Sequence, residues 1–184
     1  MKQEIILLLI GGGIAIVSSV VTLLGTYFIE RQGKIKIYTK IVCSKVDGGG
    51  WGCRMTDEGL SFHIPLWIEI LNTSNAVQVV RNFNLAVFYN KKEIALMTQI
   101  NQIGNDEIAN KGAYSFVLEP RSIQKYDCHF TIKRDSLKDV AEFNEIKAVF
   151  YDSRDKRHLY DIKKVDNCWS RNKGKPDNDW RLLV

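Results

Sequence analysis

Two kinds of hydrophobic pattern divide this chain. From Ile5 to Ile29 apolar and small residues run on with no Asp, Glu, Lys, Arg or His among them. As a helix at ~1.5 Å per residue this stretch would reach roughly 37 Å. That exceeds the hydrocarbon thickness of a bilayer, about 30 Å, so the run predicts one membrane-spanning helix over 5–29 behind a short tail, 1–4. A cleaved signal peptide needs only about 7 to 15 apolar residues. Here the run continues through "VVTLLGTYFI", Glu4 offsets the charge of Lys2, and no Cys in the first thirty residues offers a lipid attachment point.

Beyond Ile29 the period falls to two, the signature of strands with one buried face. In "KIKIYTKIV" Ile35, Ile37, Thr39 and Ile41 oppose Lys34, Lys36, Tyr38 and Lys40. In "FHIPLWIEI" Phe62, Ile64, Leu66, Ile68 and Ile70 oppose His63, Pro65, Trp67 and Glu69, and Pro65, lacking an N–H, predicts an edge-like or bulged strand. Further strands are predicted in "FNLAVFY", "IALMTQI" and "YSFVL", with the loop-forming "GNDEIANKG" between the last two. "QKYDCHFTIK" alternates most regularly, with Tyr126, Cys128, Phe130 and Ile132 facing inward and His129 outward. "RDSLKDVAEF" predicts a short helix capped by Ser136 and Asp139, and "EIKAVFYDSRDKRHLYDIKK" predicts a hairpin turning near Ser153–Lys156.

Seven or eight short strands separated by regular turns predict an all-β domain over 30–164. The expected form is an antiparallel immunoglobulin-like β-sandwich, with a closed barrel as the alternative. Residues 165–184 lack a period and predict a C-terminal tail or packing strap.

Charge adds orientation. Arg31, Lys34, Lys36 and Lys40 follow the helix, against Lys2 before it, so the positive-inside rule puts the C-terminal domain in the cytoplasm. The net charge of +5 suits a domain lying against anionic lipid. Cys43, Cys53, Cys128 and Cys168 are expected to be free thiols, and Asn72-Thr73-Ser74 is a formal glycosylation sequon.

Chemistry is thin. Cys43, Cys53 and His63 are too widely spaced for a zinc motif, and adjacent Cys128 and His129 point to opposite faces of a strand. His63 and His129 are expected on the solvent face. The "GGGWG" stretch lies between strands and reads as a flexible loop rather than a phosphate cradle. With no nucleophile elbow, metalloprotease motif or P-loop, neither an enzyme nor a cofactor is expected. Basic residues alternate with acids, which argues against a nucleic-acid partner. Gly11, Ala15, Ser18, Thr22 and Gly25 recur at spacings of four and three, marking a seam for self-association or for a membrane partner. Trp67, on the outer strand face, is the candidate contact for a protein partner.

The expected role is therefore a non-enzymatic, membrane-anchored accessory or protein-interaction module. The alternatives are a small-molecule sensor signalling through helix association and an extracytoplasmic receptor or adhesion module.

Overall fold

The computed structural model describes residues 2–31, 33–45, 48–57, 59–100, 102–103, 106–107, 114–137, 142–171 and 174–184. One helix, α1 (Lys2–Arg31), precedes the strands β1 (Ile35–Ile41), β2 (Gly52–Thr56), β3 (Gly59–Asn72), β4 (Gln78–Tyr89), β5 (Lys92–Leu96) and β6 (Thr98–Gln99). The short pair β7 (Gln102–Ile103) and β8 (Asp106–Glu107) follows, then β9 (Phe116–Leu118) and β10 (Ile123–Lys133). A 3-10 turn at Arg134–Ser136, β11 (Glu145–Tyr151), β12 (Arg157–Lys164) and β13 (Arg181–Leu182) complete the order.

The main strands form two antiparallel sheets in a sandwich-like arrangement. The first runs β13-β1-β3-β10-β6, with β2 also on β3, and the second runs β12-β11-β4-β5, with β9 on β4. Alternation sets the facing surfaces. Ile64, Leu66, Ile68, Ile70, Cys128 and Phe130 from the first sheet share one buried cluster with Val80, Phe83, Leu85, Val87, Ile146 and Phe150 from the second. The rings of Phe83 and Phe130, 6.5 Å apart, meet across the two layers. The predicted hairpin is present, with Tyr151 paired to Arg157 across its turn.

Several expectations change. The strand containing Pro65 is central, paired along its length with β10 and on its other side with β1 and then β2. The Pro65 carbonyl accepts from Val42 N–H, so its nitrogen turns to the same side, toward Val42 at the end of the β1 ladder and away from β10. The missing N–H therefore costs only the reciprocal bond to Val42 at the point where β1 ends, and leaves the pairing with β10 intact. The stretch "IALMTQI" is not one strand. Met97 donates to Leu85 in the second sheet, and Thr98–Gln99 already pair with β10 in the first, so the chain changes layers there. The segment predicted as a short helix is described only as the 3-10 turn and Leu137, followed by Glu142 onward, and its centre, 138–141, lies outside the described residues. The same holds for most of "GNDEIANKG", of which only Asp106–Glu107 is described.

The last residues lie along the domain. Gly174 N–H donates to Trp51 O, Trp51 Nε1 to Lys175 O, Asp177 N–H to Ile41 O, and Leu183 N–H to Ile37 O. Gly50 and Gly174 allow this close approach. A Cβ on Gly174 would stand 2.1 Å from the Trp51 ring, and one on Gly50 would stand 1.8 Å from Gly174 O. The glycine-rich stretch is thus a seat for the C-terminal strap.

Candidate interaction surface and membrane junction

Three features hold the candidate groups: the helix, its junction with the sheets, and the outer face of the first sheet.

The helix has one stretch, Gln3–Ile29, long and apolar enough to cross a membrane, and none of it is covered by the rest of the chain. Gly11, Ala15, Ser18 and Thr22 are exposed on it, and Gly25 is half-buried. Thr22 Oγ1 donates to Ser18 O and Ser19 Oγ to Ala15 O, so these hydroxyls are satisfied within the helix.

The junction is short and closely bonded. Thr73 Oγ1 accepts from Lys34 N–H and donates to Lys34 O, while Thr73 N–H donates to the same carbonyl. Gly33, at φ +115°, presses its backbone against Thr73 and Ser74. Asn75 Nδ2 reaches Ile29 O at 3.4 Å, and Arg121 Nε donates to Asn75 Oδ1 at 2.7 Å. Beneath this loop Asn72 is fully buried. Its amide donates to Ala76 O, Leu118 O and Glu119 O, and its Oδ1 accepts from the N–H and hydroxyl of Ser74. The sequon asparagine is therefore a structural hub, inaccessible to any modifying enzyme in the folded chain.

Of the four basic residues after the apolar run, Arg31 closes α1 and Lys34 and Lys36 are exposed. Lys40 donates through Nζ to Asn178 O. Beside Lys40 in the register stands Trp67, 41% exposed, as the alternation predicts. The indole is not isolated: Trp180 of the strap lies 6.4 Å away, its ring tilted 32°. The exposed Leu182 of β13 pairs with Tyr38 on the same sheet. The strap thus builds half of this aromatic patch, which no local pattern in the sequence signals.

His63 and His129 correct the expectation of solvated rings. They are 7% and 2% exposed, and His63 Nδ1 lies 3.2 Å from His129 Nε2, with Ser61 Oγ 3.1 Å from His63 Nε2. Alternation places them on the outer face correctly, but that face is covered here. Among the described residues no group of three or more His, Cys, Asp or Glu is arranged to hold a metal ion.

The cysteines carry no disulfide. Cys43 is exposed and the other three are buried. Burial, with the Asp127 carboxylate beside it, pushes the Cys128 thiol up to about 12. Elsewhere a groove of about 360 Å³ is lined by Glu145, Asp161, Ile162, Lys163, Lys164 and Arg181, a mixed-charge set open to solvent.

These features define a β domain carrying one apolar N-terminal helix. No family model matches the chain. It is similar to YopI, an uncharacterised protein derived from the SPbeta prophage of Bacillus subtilis strain 168, with 29% identity over 105 residues. The matched region covers 54% of this chain and 59% of that relative.

Proposed function

We propose that this chain is a non-enzymatic single-pass membrane protein whose helix holds an immunoglobulin-like β-sandwich at the inner face of the membrane. There the domain serves as a protein-interaction or accessory module. The observation that carries the reading is the uncovered helix: none of its apolar span is buried against the sheets. Such a surface is unstable in water and stable in a bilayer.

Strand order supports the immunoglobulin-like form. Taken in chain order, β1-β3-β10-β6 against β12-β11-β4-β5 reproduces the A-B-E-D and G-F-C-C′ layers of that architecture. The cytoplasmic side is supported by Arg31, Lys34, Lys36 and Lys40 beyond the helix. For the partner surface the Trp67–Trp180 patch is the best-supported site, since exposed tryptophans are enriched among residues that dominate binding.

Protease treatment of intact cells and of inverted vesicles tests the placement. The domain should be cut only in inverted vesicles, and cutting in intact cells would make an extracytoplasmic module the better reading. Proximity labelling in cells tests the role: neighbours marked by the native chain should be lost in the double variant Trp67→Ala, Trp180→Ala. An unchanged set would remove the patch from consideration.

A further inference from the structure

The antiparallel register decides which turns share the end of the sandwich that carries α1. Ile35, four residues after the helix, pairs with Asn72, so the β3–β4 loop lies there. Leu71 pairs with Ile123 and Gln78 with Leu118, bringing in the β9–β10 turn. Tyr151 pairs with Arg81, which adds the β11–β12 turn.

This end has an unusual surface. Val77, Val117 and Ile123 are each more than half exposed, and Pro120 is exposed between the last two. Val117 and Ile123 stand on the outer sides of the two sheets, where alternation calls for polar residues. Exposed Lys34, Lys36, Arg121, Arg154 and Lys156 surround them. Of the acids at these turns, Asp155 is paired with Arg81 and Asp152 with His158, while Glu119 and, in the last turn of the helix, Glu30 offset part of the charge of the five cations. Arg121 is bonded to Asn75, which reaches the helix backbone at Ile29. The collar and the end of the helix are therefore one bonded unit.

We propose that this end of the sandwich rests on the bilayer. Val77, Val117 and Ile123 enter the boundary between headgroups and acyl chains, and Lys34, Lys36 and Arg121 meet anionic phospholipid headgroups. Apolar side chains ringed by cations are the composition of surfaces that lie in this boundary. The covalent link to α1 keeps the end within a few residues of the membrane, so only weak attraction is needed to hold it down. The inference rests on the reading of α1 as a membrane anchor.

The test uses the full chain in nanodiscs of neutral phosphatidylcholine, with and without phosphatidylglycerol. In a Cys43→Ser background, spin labels are attached at Val77→Cys, at Ile123→Cys and, at the far end of the domain, at Lys92→Cys. Labels at 77 and 123 should be shielded from a water-soluble relaxation agent and reached by one dissolved in the acyl region, with label 92 open to water. Phosphatidylglycerol should deepen the shielding, and Lys36→Gln should weaken it about fivefold in anionic discs, the contribution of one basic residue near such a surface. Labels at 77 and 123 as wet as label 92 in anionic discs would overturn the proposal. Equal shielding in both lipids would overturn its headgroup part. Should labelling unfold the domain, hydrogen exchange of the unsubstituted chain at 73–77 and 119–123 decides instead. Slower exchange in anionic discs than in detergent supports docking, and equal exchange rejects it. Alkaline carbonate extraction separates the two readings: release of the chain defeats the anchor itself, whereas a retained chain with wet labels defeats only the docking.

Discussion

At the scale of single residues, Asn72 joins two turns that neither local pattern nor charge would connect. Replacing it with Ala leaves the carbonyls of Ala76, Leu118 and Glu119 without their side-chain donor in a buried setting. The expected loss is about 2–4 kcal/mol of folding stability, read from the denaturant midpoint. A loss indistinguishable from that of a surface Asn→Ala control would mean water replaces the amide. Cys128 offers a second measurement. Its position between Tyr126 and Phe130 makes burial legible from sequence alone, and its thiol, raised to about 12, holds almost no thiolate at neutral pH. A polar thiol reagent should therefore modify Cys43 rapidly and Cys128 only on unfolding. Fast native labelling of both would contradict the packing. His63 and His129 mark where such reasoning stops. Alternation assigns a side chain to a face, but which outer positions are later covered depends on the path of segments far away in the chain.

At the scale of elements, strands with strict alternation (β1, β3, β9, β10) and the β11–β12 hairpin were legible, because a single buried face imposes period two. The central place of β3 was not, since sheet order leaves no local mark. β2 was missed because Arg54-Met55-Thr56 shows no alternation, although Gly59, at φ +101°, makes the turn that folds it onto β3. The strap is held largely by backbone bonds, which sequence periodicity does not encode. Its seat is testable: Gly174→Ala drives a methyl into the Trp51 ring and should cost about 1–3 kcal/mol, with a changed tryptophan emission. Unaltered emission and stability would mean the strap moves aside freely.

The β11–β12 turn predicts a pH dependence. A hydrogen bond from His158 Nε2, aided by the N–H groups of Arg154 and Lys156, holds the Asp152 carboxyl below the ordinary carboxylate range. A carboxyl depressed in the folded state contributes stability that is complete above its unfolded pKa and is lost as pH falls through its folded value. Asp152→Asn should thus be less stable than the native chain at neutral pH, with the difference vanishing in acid. A separation that stays constant to low pH would rule out this contribution.

At the scale of the whole molecule, the proposed placement has the helix and the flanking cations set the orientation together. On that proposal, changing Arg31, Lys34, Lys36 and Lys40 to Gln while adding three Lys after Met1 removes an inward bias and supplies an outward one. A fraction of domains should then become accessible to protease in intact cells. No accessible fraction would mean that orientation is set by something other than flanking charge. Gly11→Leu and Ala15→Leu should reduce cross-linking between copies in membranes, because bulky side chains keep helix backbones apart. Unchanged cross-linking would discard the seam.

The close bonding between Lys34, Thr73, Asn75 and Ile29 makes the helix and the sandwich a crank and its handle. Where the Asn75–Ile29 bond holds, turning the helix about its axis swings the aromatic patch with it. One residue inserted into the last turn of the helix would advance the phase between them by ~100°. On the proposed reading of the helix as an anchor, the face that meets a neighbour in the membrane therefore also selects the compass bearing at which Trp67 and Trp180 are presented to the surroundings.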